Sequence, residues 1–222
     1  MIEMIELKNV SKNYPIHGGE RVILDQINLT IHSSEKIGIL GRNGSGKSTL
    51  IRLISGAEKP TTGIVDRRMK VSWPLALSGG FQGSLTGLDN LRFICRIYNT
   101  PIKDKISYVQ DFSELGRYFW EPVKTYSSGM RARLAFALSM VIEFDCFLID
   151  EVVAVGDDRF RARCEEELFI KRKDRAMIIV SHQANYIKKH CDRVCVLLRG
   201  QMHHFDSVDA GFEFYKQHSA EQ

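Results

Sequence analysis

Residues 41 to 49 read Gly-Arg-Asn-Gly-Ser-Gly-Lys-Ser-Thr and follow directly on the apolar run Ile37-Gly38-Ile39-Leu40. A short apolar run that ends in Gly-x-x-x-x-Gly-Lys-Ser reads as a strand handing over to a helix through a loop of main-chain N–H groups. Gly41, Gly44 and Gly46 let the backbone turn and approach an anion with no Cβ in the way. Lys47 has the reach for the β- and γ-phosphates, and Ser48 carries a hydroxyl suited to Mg²⁺. Arg42, Asn43 and Ser45 fill the loop. Thr49 sits in the first turn of a helix expected from Ser48 to about Ser55, whose positive dipole end adds to the attraction. The ligand this pattern implies is a nucleoside triphosphate.

The rest of the chain sets bounds on the partners. Its 222 residues are enough for one substantial core, and a single domain over 1–222 is expected. Lys and Arg number 31 against 27 Asp and Glu, a net charge of +4. The basic residues are dispersed, so no nucleic-acid partner is expected; Arg67-Arg68 and Lys171-Arg172-Lys173 read as solvated faces. The five cysteines are odd in number, form no Cys-x-x-Cys and lie mostly in apolar periodic segments. Core packing in a reducing compartment suits them better than disulfides or zinc. Glu3 and Glu6 interrupt the start, so no signal peptide is expected. No apolar run approaches the roughly 20 residues that span a bilayer. A cytosolic protein whose membrane work is done through a partner is the expectation.

Periodicity gives the organisation. Met4 to Val10 and Val22 to Ile31 are strand candidates, the second with Ile27, Leu29 and Ile31 on one face, separated by a turn at Pro15 to Gly19. Lys36 to Leu40 feeds the loop, and a short strand is expected near Ile64 to Asp66. Residues 72 to 87 are rich in glycine yet carry Trp73, Leu77, Phe81 and Leu85, which suits a contact loop that moves. Leu88, Leu91, Ile94, Cys95 and Tyr98 share one helical face; Ile106, Val109, Gln110 and Phe112 suggest another helix. Ser127 or Ser128 caps a long helix to about Ile142, with Leu134, Leu138, Val141 and Ile142 inward. Asp145 to Asp150 and Ala176 to Val180 read as buried parallel strands. Between them, Phe160, Cys164, Leu168 and Phe169 give a helix. A short helix, a strand at Arg193 to Leu198 and a helix at about 208 to 218 close an α/β alternation. His203 and His204 follow that strand and read as exposed. The fold class is α/β, a P-loop core with an N-terminal antiparallel β part and a helical subdomain inserted at about 87–143.

Five further features bear on chemistry. Asp150-Glu151 ends an apolar strand, where Asp150 can hold the Mg²⁺ shell through water with Ser48, and Glu151 can polarise an attacking water. Acids also end strands for structural reasons. Ser127-Ser128-Gly129 opens the long helix with small residues, exposing N–H groups able to grip a γ-phosphate or simply capping the helix. His182 follows the strand ending at Val180 and can bond a γ-phosphate. Gln82 can reach Mg²⁺ and the water with its amide. Tyr14 can stack on adenine, or sit in the core.

Taken in order, Tyr14, Gly41 to Thr49, Gln82, Ser127 to Met130, Asp150-Glu151, Asp157 and His182 make the chain resemble the ATP-binding-cassette ATPases over essentially its whole length. The resemblance implies ATP and Mg²⁺ as cofactors. It casts Tyr14 as the adenine-stacking aromatic, Gln82 as the glutamine of the Q-loop, Ser128-Gly129 as the signature contact, Glu151 as the catalytic base and His182 as the switch histidine. Ser127 and Asp157 join the nucleotide set. It also implies a homodimer on ATP binding, each signature closing over the nucleotide held by the other copy.

The sequence departs from the commonest family forms at Tyr126-Ser-Ser-Gly-Met130 and Ala154-Val155-Gly156-Asp157. With Ser72-Trp73-Pro74 and Gly79 to Gly87, these are similar to the ATPases of bacterial polysaccharide exporters, nearest to the capsular type. Many O-antigen exporters carry a further carbohydrate-binding domain, and the end at Gln222 favours the capsular kind. The expectation is an ATPase at the cytoplasmic face of the inner membrane, two copies on two separate permease subunits that handle the polysaccharide. Export of teichoic acid or O-antigen, or a soluble cassette ATPase not coupled to transport, are the alternatives.

Overall fold

The computed structural model describes residues 3–75, 82–150, 157–181 and 183–219. Glu151 and His182, and the parts of the expected contact loop and post-strand loop at 76–81 and 152–156, lie outside them. The chain divides into two compact units, one comprising Met1–Pro74, Phe144–Glu151 and Asp174–Gln222, the other Leu75–Glu143 and Val152–Lys173.

The first unit holds two sheets. Strands β1 (Met4–Ile16), β2 (Gly19–His32) and β4 (Thr62–Arg67) form an antiparallel sheet in the order β2-β1-β4. The hairpin runs longer than periodicity suggested: β1 continues to Ile16, and the turn shrinks to His17-Gly18, because pairing persists through Pro15↔Glu20 and Ile16↔Gly19. Ile27, Leu29 and Ile31 are buried, as their alternation requires. The second sheet runs β5 (Val71–Pro74), β6 (Cys146–Asp150), β7 (Ala176–Val180), β3 (Lys36–Leu40), β8 (Arg193–Leu198), β9 (Gln201–Phe205). It is parallel except for the β8–β9 hairpin. Its inner strands are continuous apolar runs that share one core with helix α1 (Lys47–Ser55) and the small sheet, and Ile187 of α6 (Ala184–His190) and Phe212 of α7 (Val208–Ser219) are buried as well. Truncating a fully buried residue such as Leu148 to Ala should cost about 2–5 kcal/mol.

Two strands escaped the sequence reading. An irregular loop was expected from residue 72 onward, but Val71–Pro74 is a strand. Pro74 is tolerated there because β5 is a sheet edge, where a missing N–H leaves no ladder bond unmade. Inside the strand, the Ser72 hydroxyl accepts from the Leu148 N–H at 2.9 Å where the β5–β6 register shifts. His203 and His204 lie in β9, paired with β8, and His204 Nδ1 stands 3.2 Å from the buried Cys195 thiol. The cysteines among the described residues are free, four of them buried.

The second unit is helical: α2 (Gly87–Ile97), α3 (Lys105–Ser113), α4 (Ser128–Val141) and α5 (Asp158–Glu165). Thr86 caps α2 by accepting from Asp89 N at 3.0 Å. Phe112, Phe136 and Phe160 pack ring on ring, with centroids 5.5 to 6.3 Å apart, and join α3, α4 and α5. From Leu134 to Ile142 every residue of α4 and its C-cap is buried, so the inward stripe read from the sequence understates a segment buried all round. The helix expected through Phe169 ends at Glu165 and continues as a π-turn, Glu166–Ile170, with Lys171 N bonded to Glu166 O. Within it, Glu167 is almost fully buried and tolerated because Lys171 and Arg172 reach it at 2.5 and 2.6 Å.

Candidate nucleotide site

The loop after β3 has the strain its glycines were read to permit. Gly44 and Gly46 take φ of 81° and 104°. A Cβ on Gly41 would meet Ser45 Oγ at 2.5 Å and Leu197 O at 2.8 Å, so only glycine lets the loop close. Helix α1 starts at Lys47, one residue earlier than expected, and its N-cap, Gly46, offers no side chain to its first-turn amides. Those donors point out of a helix end, where an anion is stabilised. Lys47 Nζ donates to Gly41 O at 2.6 Å and Arg42 O at 2.9 Å, which draws the ammonium across the loop.

A cavity of about 520 Å³ opens on this loop. Asn43, Gly44, Gly46, Lys47, Ser48 and Thr49 line it, with Asp150 from the end of β6. Tyr14 lines it from β1, so the sequence-read aromatic, phosphate loop and strand-end acid share one site. The residues suit a nucleotide and its metal. The Ser45 hydroxyl is buried without a hydrogen-bond partner, the Gly41 position has no room for a Cβ and the Gly46 position is tight for one, and the Ser48 hydroxyl and Asp150 carboxylate are hard oxygen donors in one cavity.

Arg21 and Ile23 also line the cavity and were not singled out from the sequence. The signal existed for Arg21: a two-residue turn at His17-Gly18 pairs 16 with 19 and therefore 14 with 21, and Tyr14↔Arg21 is the observed pair. Also missed were the partners of Tyr14. Its hydroxyl donates to Glu58 Oε2 at 2.8 Å and accepts from Arg52 Nη2 at 3.1 Å. Glu58 also takes an ion pair from Lys12 at 2.9 Å, and that hydrogen-bonded ammonium, outweighing some burial, holds its carboxyl far below the usual range, at about 2.

Gln82, Ser127, Ser128, Gly129 and Asp157 lie in the second unit. Gln82 is exposed, and Asn90 fixes its backbone: Asn90 Oδ1 accepts from Gln82 N at 3.2 Å. Asn90 is itself 2% exposed, a buried amide that the sequence pattern did not flag. Ser127 is the N-cap of α4, accepting from Met130 N at 3.2 Å, while Ser128 and Ser127 are exposed and a Cβ on Gly129 would meet only Ser127 Oγ, at 4.0 Å. Asp157 caps α5 by accepting from Phe160 N at 2.9 Å and pairs with Arg133 of α4 at 2.8 Å. The backbone bond from Phe160, then Arg133, lowers its carboxyl below the ordinary value. Arg133 and Arg163 also converge on Glu114, so one carboxylate ties α4 and α5 to the end of α3.

A family model described as ABC transporter matches residues 24–154. The capsule polysaccharide export ATP-binding protein CtrD of Neisseria meningitidis serogroup B is 59% identical over 212 residues, 96% of this chain and 98% of that protein. The ATP-binding protein BexA of Haemophilus influenzae is 57% identical, covering 96% and 99%. The polysialic acid transport ATP-binding protein KpsT of Escherichia coli is 42% identical, covering 96% of each. Among solved structures, a dimeric post-hydrolysis ATP-binding cassette bound to ADP and phosphate superposes with a TM-score of 0.76 at 23% identity, covering 90% of this chain and 98% of that one. An ATP-binding subunit of an ABC transporter gives 0.80 at 19%, covering 96% and 93%.

Proposed function

Because the chain belongs to the ABC transporter family, we propose that it is the ATP-hydrolysing subunit of an exporter that moves capsular polysaccharide, as a lipid-linked glycan, across the inner membrane. The observation that carries this reading is the cavity where the phosphate loop, Tyr14 and Asp150 meet, in a chain that shares most of its sequence with capsule-export ATP-binding proteins. No helix among the described residues is long and apolar enough to cross a membrane. The translocation path then belongs to separate permease subunits, two of them bound by two copies of this chain at the cytoplasmic face.

The loop N–H groups and the α1 end bind the phosphates, and Lys47 exchanges the carbonyls of Gly41 and Arg42 for the more strongly attracting β- and γ-oxygens. Ser48, Asp150 through water and, on the sequence assignment, Gln82 would hold Mg²⁺, and the ion would neutralise charge developing on the transferred phosphoryl group. Glu151 orients and deprotonates the attacking water, while His182 senses the γ-phosphate. Ser127, Ser128 and Gly129 of one copy close over the phosphates held by the other, which the exposed start of α4 permits.

The test is genetic and biochemical together. Deleting the gene should abolish surface polysaccharide, the wild-type gene should restore it, and Glu151→Gln should not. The purified Glu151→Gln chain should lose about 10²- to 10⁴-fold in turnover while still binding ATP. Intact surface polysaccharide in the deletion would refute the substrate class; undiminished turnover would refute the base.

A further inference from the structure

Tyr14 is not merely near the phosphate loop but wired to the helix that carries it. Its hydroxyl is shared between Glu58 Oε2 and Arg52 Nη2. Arg52 Nε bonds the same Glu58 oxygen at 3.0 Å, and Arg52 Nη2 reaches Thr49 Oγ1 at 3.1 Å, one residue beyond Ser48. Lys12, two residues before Tyr14 on β1, places its ammonium 5.1 Å from the Tyr14 ring centroid while pairing with Glu58 Oε1 and donating to Lys59 O. One carboxylate thus accepts from three groups and is the junction of the cluster. Removing it leaves the phenol held by Arg52 alone, leaves Arg52 with only Tyr14 and Thr49, and leaves the largely buried Lys12 ammonium with one main-chain partner.

We propose that Glu58 is a positioning residue for nucleobase recognition: by locking the Tyr14 phenol to α1, it fixes the separation between the base platform and the phosphate cradle. The proposal rests on Tyr14 being the surface on which the base stacks. A platform held in register with the loop pays no ordering cost when the nucleotide arrives, whereas a loose ring must be ordered at that moment. Glu58 therefore acts only on ligands that carry a base. A bare polyphosphate, gripped by Lys47 and the loop amides, gains nothing from it.

The experiment compares ATP with inorganic tripolyphosphate by calorimetry on the full chain, with Glu58→Gln, Glu58→Ala, Tyr14→Phe and Tyr14→Ala. Tyr14→Ala should weaken ATP by the roughly 5- to 150-fold that base–aromatic stacking is worth. Glu58→Ala should lose a part of that, about 5-fold or more, and Glu58→Gln less, since an amide oxygen still accepts from the phenol. Tyr14→Phe keeps the ring but frees it, and adding Glu58→Ala to it should weaken ATP no further. Tripolyphosphate affinity should change by less than about twofold throughout, and in steady state KM for ATP should rise with kcat unchanged. Equal weakening of ATP and tripolyphosphate by Glu58→Ala, or additive losses in the double variant, would overturn the proposal by making Glu58 a general support of the loop. Unaltered ATP affinity in Tyr14→Ala would instead remove the stacking assignment beneath it.

Discussion

Two helix starts in this chain are proposed to grip a triphosphate, α1 the one bound by its own copy and α4 the one bound by the other copy, and they are built in opposite ways. At α1 the N-cap is Gly46 in a left-handed conformation, with no side chain bonded to the first-turn amides and Glu58, Arg52 and Lys12 bracing the flank. At α4 the N-cap is Ser127, whose hydroxyl already satisfies Met130 N, and Arg131 holds Tyr126 O at 2.6 Å. An uncapped helix start leaves donors open, which costs stability unless a ligand supplies the acceptor. A capped start is content alone. The α1 end is thus made to need an anion in the single chain, whereas the α4 end can wait for a second copy.

The comparison breaks most readily at Lys47. Lys47→Ala removes charge-assisted bonds worth roughly 1.5–3 kcal/mol and should weaken ATP by about 10- to 100-fold in the isolated chain. Unchanged affinity in a direct binding titration would mean that the α1 end is not the cradle.

The paired glycines sharpen it next. Gly46→Ala forces a Cβ into a φ of 104° and within about 3 Å of Leu24 and Ile23, and should cost at least about 1–2 kcal/mol of unfolding free energy. Gly129→Ala meets open space in ordinary helical backbone and should be neutral or stabilising by up to about 1 kcal/mol, yet cut ATP turnover. Denaturant titration reads the first difference and steady-state hydrolysis the second; full turnover in Gly129→Ala would show that the α4 start faces no nucleotide.

Ser127→Ala should lose about 1 kcal/mol of stability, as a removed cap does, with ATP affinity of the single chain unaltered. If affinity falls with stability, the two ends are not independent. The smallest effect is in pH. Glu58 titrates at about 2 in the folded chain, below the roughly 4.3 of an unfolded glutamate. Its contribution to the α1 flank is therefore full above about pH 4.3 and lost as pH falls through about 2. Carboxyl carbon shifts measured by NMR should show a Glu58 midpoint near 2, and a midpoint above 4 would mean that the brace is absent in solution.

Much of the fold was legible because the signals were local. Lys36 to Leu40, Ala176 to Val180 and Arg193 to Leu198 are continuous apolar runs bounded by polar residues, and they are the strands β3, β7 and β8. Val71 to Pro74 was not legible, since a proline argues against a strand unless one knows that it lies at an edge. The π-turn after α5 was also hidden: the apolar spacing of Phe160, Cys164, Leu168 and Phe169 fits an ordinary helix, and only the buried Glu167 with its two cations marks the extra residue.

In the site the same division holds. The loop glycines were legible in the sequence alone, because the steric limits that a Cβ sets at adjacent positions dictate which backbone such a loop can take. Arg21 opposite Tyr14, and Glu58 forty-four residues beyond it, came from the tertiary structure. A hydrogen bond across that distance depends on strand register and on where α1 ends, neither of which any short window of residues encodes.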